Sequence, residues 1–239
     1  MAELKQLTLD ISLDDHYTFN NFWVGDNGEL INCLRAHCST DNAFLIERFI
    51  YVWGQKHSGR SHLLQACCHE ASIYNRSCFY LSLSAINKLT PRILENIETS
   101  SLVCLDDIQN IGNKKEWEEA IFKLFNEIME NQNQLIVASD VAPQLLLITL
   151  PDLKSRLSSG LPLQIKPLND EQKLSALQMR AHKRGLIFPE AVGKYLLYRY
   201  ARDTKNLFLV LDKLDKASLA SQRKLTIPFI KRVLEKNII

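Results

Sequence analysis

The chain of 239 residues carries almost no excess charge: 29 Lys and Arg stand against 27 Asp and Glu. A balance that mild gives no support for nucleic-acid binding driven by charge alone. No apolar stretch approaches the ~18 residues that argue for a membrane span. The N-terminus, MAELKQLTLD, lacks a basic start followed by an apolar run, so a signal peptide is not expected and the chain reads as cytoplasmic. Six cysteines are present, but none forms a C-x-x-C pair and no Cys/His set has a recognisable zinc spacing. Cys67, Cys68 and Cys104 fall in apolar runs, where a thiol acts as a small hydrophobe. Internal repeats and low-complexity segments are missing too. What remains is 46% hydrophobic and 23% charged, in a chain long enough for one large core and a small one.

Residues 1–15 alternate Leu7, Leu9, Ile11 and Leu13 before the acidic pair Asp14 and Asp15, an extended segment with one apolar face. An edge strand would show the same alternation. From about Phe44 onward, short apolar runs alternate with helical patterns. Strands are expected at Phe49 to Trp53, Cys78 to Leu83, Leu102 to Leu105, Leu135 to Ala138 and Leu163 to Ile165. Between them, Leu63, Leu64, Cys67 and Ala71 recur at helical spacing, and Trp117 to Met129 forms an amphipathic helix. This alternation predicts βαβ units and a mostly parallel sheet over residues 16–166. Residues 167–239 carry helical patterns only. Asn169 can cap a helix whose first turn holds Asp170 and Glu171, and Gly185 follows it as a stop signal. Further helices are expected after Pro189, over Leu207 to Ala217, and around Ile230 to Leu234.

The strongest local signal is Gly54-Gln55-Lys56-His57-Ser58-Gly59-Arg60-Ser61, with His62 following. It has the G-x-x-x-x-G-[basic]-[Ser/Thr] spacing of a P-loop and sits between a predicted strand and a predicted helix. Backbone N–H groups of such a loop can cradle phosphates at the helix N-terminus, and Ser61 can ligate Mg²⁺. A glycine turn with chance spacing is the alternative. Arg60 stands where a P-loop has lysine, and His57 where a glycine is often found. A guanidinium can bind phosphate bidentately but not as a compact point charge, so nucleotide binding is expected and efficient hydrolysis is not. Next, Ser101 to Leu105 is an apolar strand ending in Asp106 and Asp107, the form of a Walker B motif. Asp106 would hold Mg²⁺ through water and Asp107 would orient the attacking water; paired acids after a strand can also be a helix N-cap. Ser139 and Asp140 end a further strand, where a γ-phosphate sensor belongs. Arg156 lies just before the last strand, and as a lone arginine it could equally be a solvated charge.

Together these segments resemble the DnaA family of AAA+ proteins. The carriers are Tyr17 to Gly25, similar to the adenine-pocket segment with Phe22 and Val24; Leu105 to Gln109, similar to Walker B; and Leu153 to Leu157, similar to box VII. The resemblance implies a fold with an α/β AAA+ P-loop core, a mostly parallel sheet and a small all-α lid. It spans residues from about 17 to the end. The chain stops at Ile239, where the family continues into a helix-turn-helix, so no sequence-specific DNA binding is expected. Within the family, Ala217 to Phe229 and Gly59 to Leu64, with arginine in the lysine place, resemble the Hda branch of regulatory inactivators. Gln6, Leu7, Leu9 and Ile11 resemble its sliding-clamp-binding peptide; Asp10 departs from that motif, which has an apolar residue or proline there. Lys205 stands in the sensor 2 place, normally arginine.

The resemblance implies a regulator of replication initiation that stimulates hydrolysis of ATP bound to DnaA, with the DNA-loaded clamp (the β subunit of DNA polymerase III) as second partner. Arg156 would act in trans on DnaA's nucleotide. The chain's own ADP or ATP, with Mg²⁺, would join core to lid, and a homodimer is compatible with this scheme. No membrane partner is implied. An autonomous ATPase or helicase loader, and a truncated DNA-binding initiator relative, are the rival readings. The first predicts multiple-turnover hydrolysis by the isolated protein; the second predicts salt-sensitive duplex binding.

Overall fold

The computed structural model describes residues 17–39, 47–199 and 203–235. Gln6, Leu7, Leu9 and Ile11 lie outside the described residues. Five strands, β1 (Phe49–Trp53), β2 (Cys78–Ser82), β3 (Leu102–Asp106), β4 (Gln134–Ser139) and β5 (Leu161–Gln164), form one parallel sheet in the order β2-β3-β4-β1-β5. The three central strands are near-continuous apolar runs, as a parallel sheet covered on both faces requires. Their residues divide by parity. Phe49, Tyr51, Val103, Leu105, Leu135 and Val137 pack on one face, against the apolar stripes of α3 (Lys115–Glu130) and α4 (Pro151–Ser159). Ile50, Val52, Cys104, Ile136 and Ala138 pack on the other, against α1 (Gly28–Cys38) and α2 (Arg60–Ile73).

The expected strand positions agree with the structure to within two residues. Leu83 leaves β2 and starts a 3-10 turn, which the Ser82 hydroxyl caps by accepting from the Ser84 N–H at 3.3 Å. β5 begins two residues earlier than the pattern suggests and includes Pro162. The Ile165 N–H donates to the carbonyl of Trp53 at 2.7 Å. In a parallel strand alternate residues bond to alternate sides, so Leu161 and Leu163 also point towards β1 while Pro162 faces outward. Its missing donor therefore removes no bond to β1, the situation in which proline is tolerated in a strand.

Past the sheet, α5 (Asp170–Lys183), α6 (Glu190–Arg199), α7 (Thr204–Ser221) and α8 (Ile227–Glu235) share a core of their own around Leu177, Val192, Leu196, Leu211 and Ile230. Asn169 and Gln172 make a reciprocal capping box at the start of α5. Two contacts hold the junction of this helical lid with the sheet domain, one at Lys166, the last residue before the lid, and one at Lys183 of α5. Asn27 donates to the Lys166 carbonyl at 3.1 Å and accepts from the Lys166 N–H at 2.7 Å. The Lys183 ammonium donates to the Asn20 carbonyl and to Asn21 Oδ1.

Candidate functional site

The strands' C-terminal ends converge on one edge, where ligand crevices of open α/β sheets form. β4 lies between β1 and β3, so the chain segments leaving these three strands are neighbours. Trp53 is in register with Ser139, and the Gly54 N–H donates to the Ser139 carbonyl at 3.2 Å. Residues 54–59 then turn back and α2 starts at Arg60. Gly59 makes the turn possible: its φ is +102°, and a Cβ there would lie 2.7 Å from the Phe22 ring. His57, where a glycine is often found, also adopts a left-handed φ, +66°. Such a conformation costs a residue with a Cβ roughly 1–2 kcal/mol.

Two polar atoms of this loop, Ser58 Oγ and Arg60 Nη1, are shut off from water without a hydrogen-bond partner among the described residues. A buried polar group in that condition costs about 1–3 kcal/mol, which a ligand oxygen brought to the loop would relieve. Together with the open N–H groups at the start of α2, the donor set fits a phosphate-bearing ligand.

Arg60, 8% exposed, sends its second nitrogen to Asp107 Oδ1 at 3.0 Å. Asp107 sits at φ +57° where β3 gives way to a 3-10 turn, a conformation Asp tolerates better than most residues. The same Oδ1 accepts from Gln109 Nε2 at 3.0 Å, and Gln109 Oε1 accepts from the Asp140 N–H at 3.3 Å. Arg60, Asp107, Gln109 and Asp140 thus form one polar chain across the ends of β1, β3 and β4. Asp106 is fully buried beside it and accepts from Tyr80 at 3.1 Å and from the Asp107 N–H at 2.8 Å. Burial pushes its carboxyl up, opposed first by a hydrogen bond from Ser61 and less by the Arg60 charge and Tyr80. A serine hydroxyl hydrogen-bonded to a buried carboxylate is a pair of hard oxygen donors suited to Mg²⁺.

The segment of residues 17–24 runs over the start of α2. Tyr17 stacks on His62 with ring centroids 5.0 Å apart, Phe22 meets His62 edge-on at 5.3 Å, and His62 Nε2 is 2.8 Å from the Thr18 carbonyl. Val24, exposed, follows Phe22 on the same segment. The structure therefore brings Phe22, residues 54–62, Asp106, Asp107, Ser139 and Asp140 to one edge.

Lys205 and Arg156 are not joined to that cluster. Lys205 is exposed in the first turn of α7, with no hydrogen bond or ion pair to residues 54–61 among the described residues. Arg156 is exposed in the last turn of α4, its guanidinium 6.0 Å from the Phe125 ring centroid. Phe125 in turn meets Phe49, the first residue of β1, edge-on at 5.1 Å. The loop of residues 54–59 leaves β1 at its other end, four residues or about 13 Å along the strand. Two contributors escaped the sequence reading. Tyr80 reaches Asp106 from β2, which no contiguous motif can indicate; Gln109 lies inside the Leu105 to Gln109 phrase but had no role assigned.

Two family models match the chain: the bacterial DnaA ATPase domain over residues 13–164 and the Hda lid domain over residues 170–234. Among solved structures, domain III of the replication initiation protein DnaA from Thermotoga maritima superposes with a TM-score of 0.80. That match covers 95% of this chain and 99% of that chain, at 20% identity. AMPPCP-bound DnaA from Aquifex aeolicus gives a TM-score of 0.71 at 24% identity, over 86% of this chain and 67% of that chain. The Thermotoga maritima RuvB Holliday junction branch migration motor gives 0.64 at 12% identity, over 87% and 69%. These likenesses confirm the α/β AAA+ fold with its helical lid. Among the described residues no helix is long and apolar enough to cross a membrane. By the match of its sheet domain to the bacterial DnaA ATPase domain and of its helices to the Hda lid, the chain belongs to the DnaA family of AAA+ proteins.

Proposed function

We propose that this protein regulates replication initiation by promoting hydrolysis of ATP held on DnaA, with Arg156 as the group supplied in trans. The observation that carries the reading is the place of Arg156. It is exposed, has no ion-pair partner among the described residues, and lies at the opposite end of β1 from the chain's own P-loop. A guanidinium there can serve only another molecule's nucleotide without a large rearrangement. Such a group stabilises charge on a transferring phosphoryl, worth about 10³–10⁵ in rate in GTPase systems.

The chain's own site holds an adenine nucleotide in this proposal, an expectation consistent with the AMPPCP-bound DnaA relative. Ser58 and Arg60 would contact its phosphates, and Phe22 and Val24 would flank its base. Mg²⁺ would neutralise charge between phosphate oxygens, with Ser61 and Asp106 as its holders. Asp107 Oδ1 is engaged by Arg60 at 3.0 Å and by Gln109 at 3.0 Å, so the carboxylate expected to orient an attacking water is tied to the P-loop arginine through one of its two oxygens. That favours a structural over a catalytic nucleotide and argues against the autonomous ATPase. Core, lid and clamp-binding segment would then be residues 16–166, 167–239 and 1–15, with Gln6, Leu7, Leu9 and Ile11 making the clamp contact and Lys205 approaching the nucleotide from the lid.

The test is phosphate release from ATP-loaded DnaA, with and without this protein and DNA-loaded clamp. Arg156→Ala should keep its own nucleotide and its clamp affinity yet lose at least about 100-fold of the stimulation. Lysine at this position should rescue poorly, lacking the planar fork. An alanine variant as active as wild type rejects the mechanism. In the same assay, Gln6 and Leu9 changed together to alanine should abolish the clamp dependence. Multiple-turnover hydrolysis by the isolated protein would instead support the autonomous ATPase.

A further inference from the structure

We propose that Cys68, Cys78 and Cys104 form a binding site for one soft, thiolate-seeking d¹⁰ cation of the Cu⁺ or Zn²⁺ class. Their sulfurs, from α2, β2 and β3, all lie within 4.8 Å of one another. The register explains the meeting. Cys104 is opposite Tyr80 in the β2–β3 ladder, and Cys78 stands two residues before Tyr80, so both thiols project from the same face of neighbouring strands. Helix α2 packs on that face and adds Cys68 from above.

The geometry suits a metal. Metal–sulfur bonds of about 2.3 Å set the sulfurs of a three- or four-coordinate ion roughly 4 Å apart, so the trio needs to close by less than about 1 Å. Ligand type selects the class of ion: three sulfurs among apolar side chains favour a soft cation over Mg²⁺ or Ca²⁺. Each thiol that binds gives its proton to solvent, and the Arg76 guanidinium beside Cys78 offsets part of the negative charge that results. Cys68 and Cys104 are buried, whereas Cys78 is half-buried on the edge strand and supplies the entry path. Three ligands complete a trigonal site for Cu⁺; Zn²⁺ would require a fourth, such as a water entering past Cys78.

The experiment uses the reduced, full-length protein without oxygen, titrated with Cu⁺ against a chromogenic chelator and, separately, with Zn²⁺ against a zinc indicator. One equivalent should be retained in at least one arm, with about three sulfur scatterers near 2.3 Å in X-ray absorption. Cys78→Ser should weaken binding by at least about 10-fold, the lower end of what even an outer-shell change costs. Cys33→Ser, which alters a thiol outside the trio, should bind as wild type does. In the wild-type protein itself, bound metal should protect Cys78 from iodoacetamide, which keeps the test decisive should a variant misfold. No retained metal in either arm, a shell with fewer than three sulfurs, equal weakening by both serine variants, or Cys78 labelling indifferent to metal would each overturn the site.

Discussion

Arg60 replaces a point charge with a planar fork, and the two tines have separate fates. One nitrogen is spent on Asp107; the other is buried with no partner among the described residues. If that second nitrogen meets a phosphate, Arg60→Ala removes a charge-assisted hydrogen bond worth about 1.5–3 kcal/mol, or roughly 10- to 100-fold in affinity. Calorimetric titration with ADP measures this directly, and an unchanged affinity would confine Arg60 to holding Asp107. His37 makes a second prediction at this scale. It is 1% exposed, and burial first, then the Arg76 and Arg48 charges, push its imidazole from 6.5 down to about 4. The folded state thus resists a proton that the unfolded state takes up. Stability is full above pH 6.5 and falls as pH drops from 6.5 towards 4, by up to about 3 kcal/mol. Urea unfolding across this window should show the slope, and His37→Gln should flatten it; an unchanged slope would assign the dependence to other groups. Residues of this kind divide in legibility. Arg60, Asp106 and Asp107 were readable because each belongs to a contiguous phrase. The burial of His37, the reach of Tyr80 and the meeting of Cys68, Cys78 and Cys104 were not, since strand register and helix packing create them.

Among the elements, α4 owes its position to a residue on another helix. Glu118 of α3 is fully buried and accepts from the Leu150 N–H at 2.8 Å, the Thr149 hydroxyl at 2.7 Å and the Asn113 N–H at 3.0 Å. These bonds hold the chain just before Pro151, from which α4 carries Arg156. Glu118→Gln replaces a carboxylate oxygen by a donor amid donors and should cost about 1–3 kcal/mol. Hydrogen exchange should quicken at Thr149 and Leu150, whose N–H groups donate to Glu118, and leave α2 unaffected; protection equal to wild type would show that Pro151 alone sets α4. The strands and the longer helices were legible because their apolar residues recur with a clear period. Helix α1 and the 3-10 turns of residues 83–99 were not. Leu83, Ile86, Leu94 and Ile97 are buried, but their spacing fits neither period and Pro91 interrupts the run. Tertiary packing, more than local preference, shapes that stretch.

Across the whole molecule, one short segment is held at both ends beside the junction of sheet domain and lid: Asn20 and Asn21 by Lys183 of the lid, and Asn27 by Lys166, the last residue before the lid. Phe22 and Val24 lie between them. A nucleotide contacting this segment would therefore stiffen both domains. ADP at about 100 times its dissociation constant should add roughly 3 kcal/mol to stability and raise a single melting transition. Two transitions, with only one moved by ADP, would show that the ties do not transmit binding. The outer margin of the sheet has a different consequence. Because Pro162 faces away from β1, the outer margin of β5 lacks a donor at its second residue, so an incoming strand from another molecule could not build a complete ladder there. When many copies crowd together, the protein should resist growth into fibres along this edge. Pro162→Val would restore the donor without disturbing the inner pairing, and with it the one missing rung of a template for aggregation.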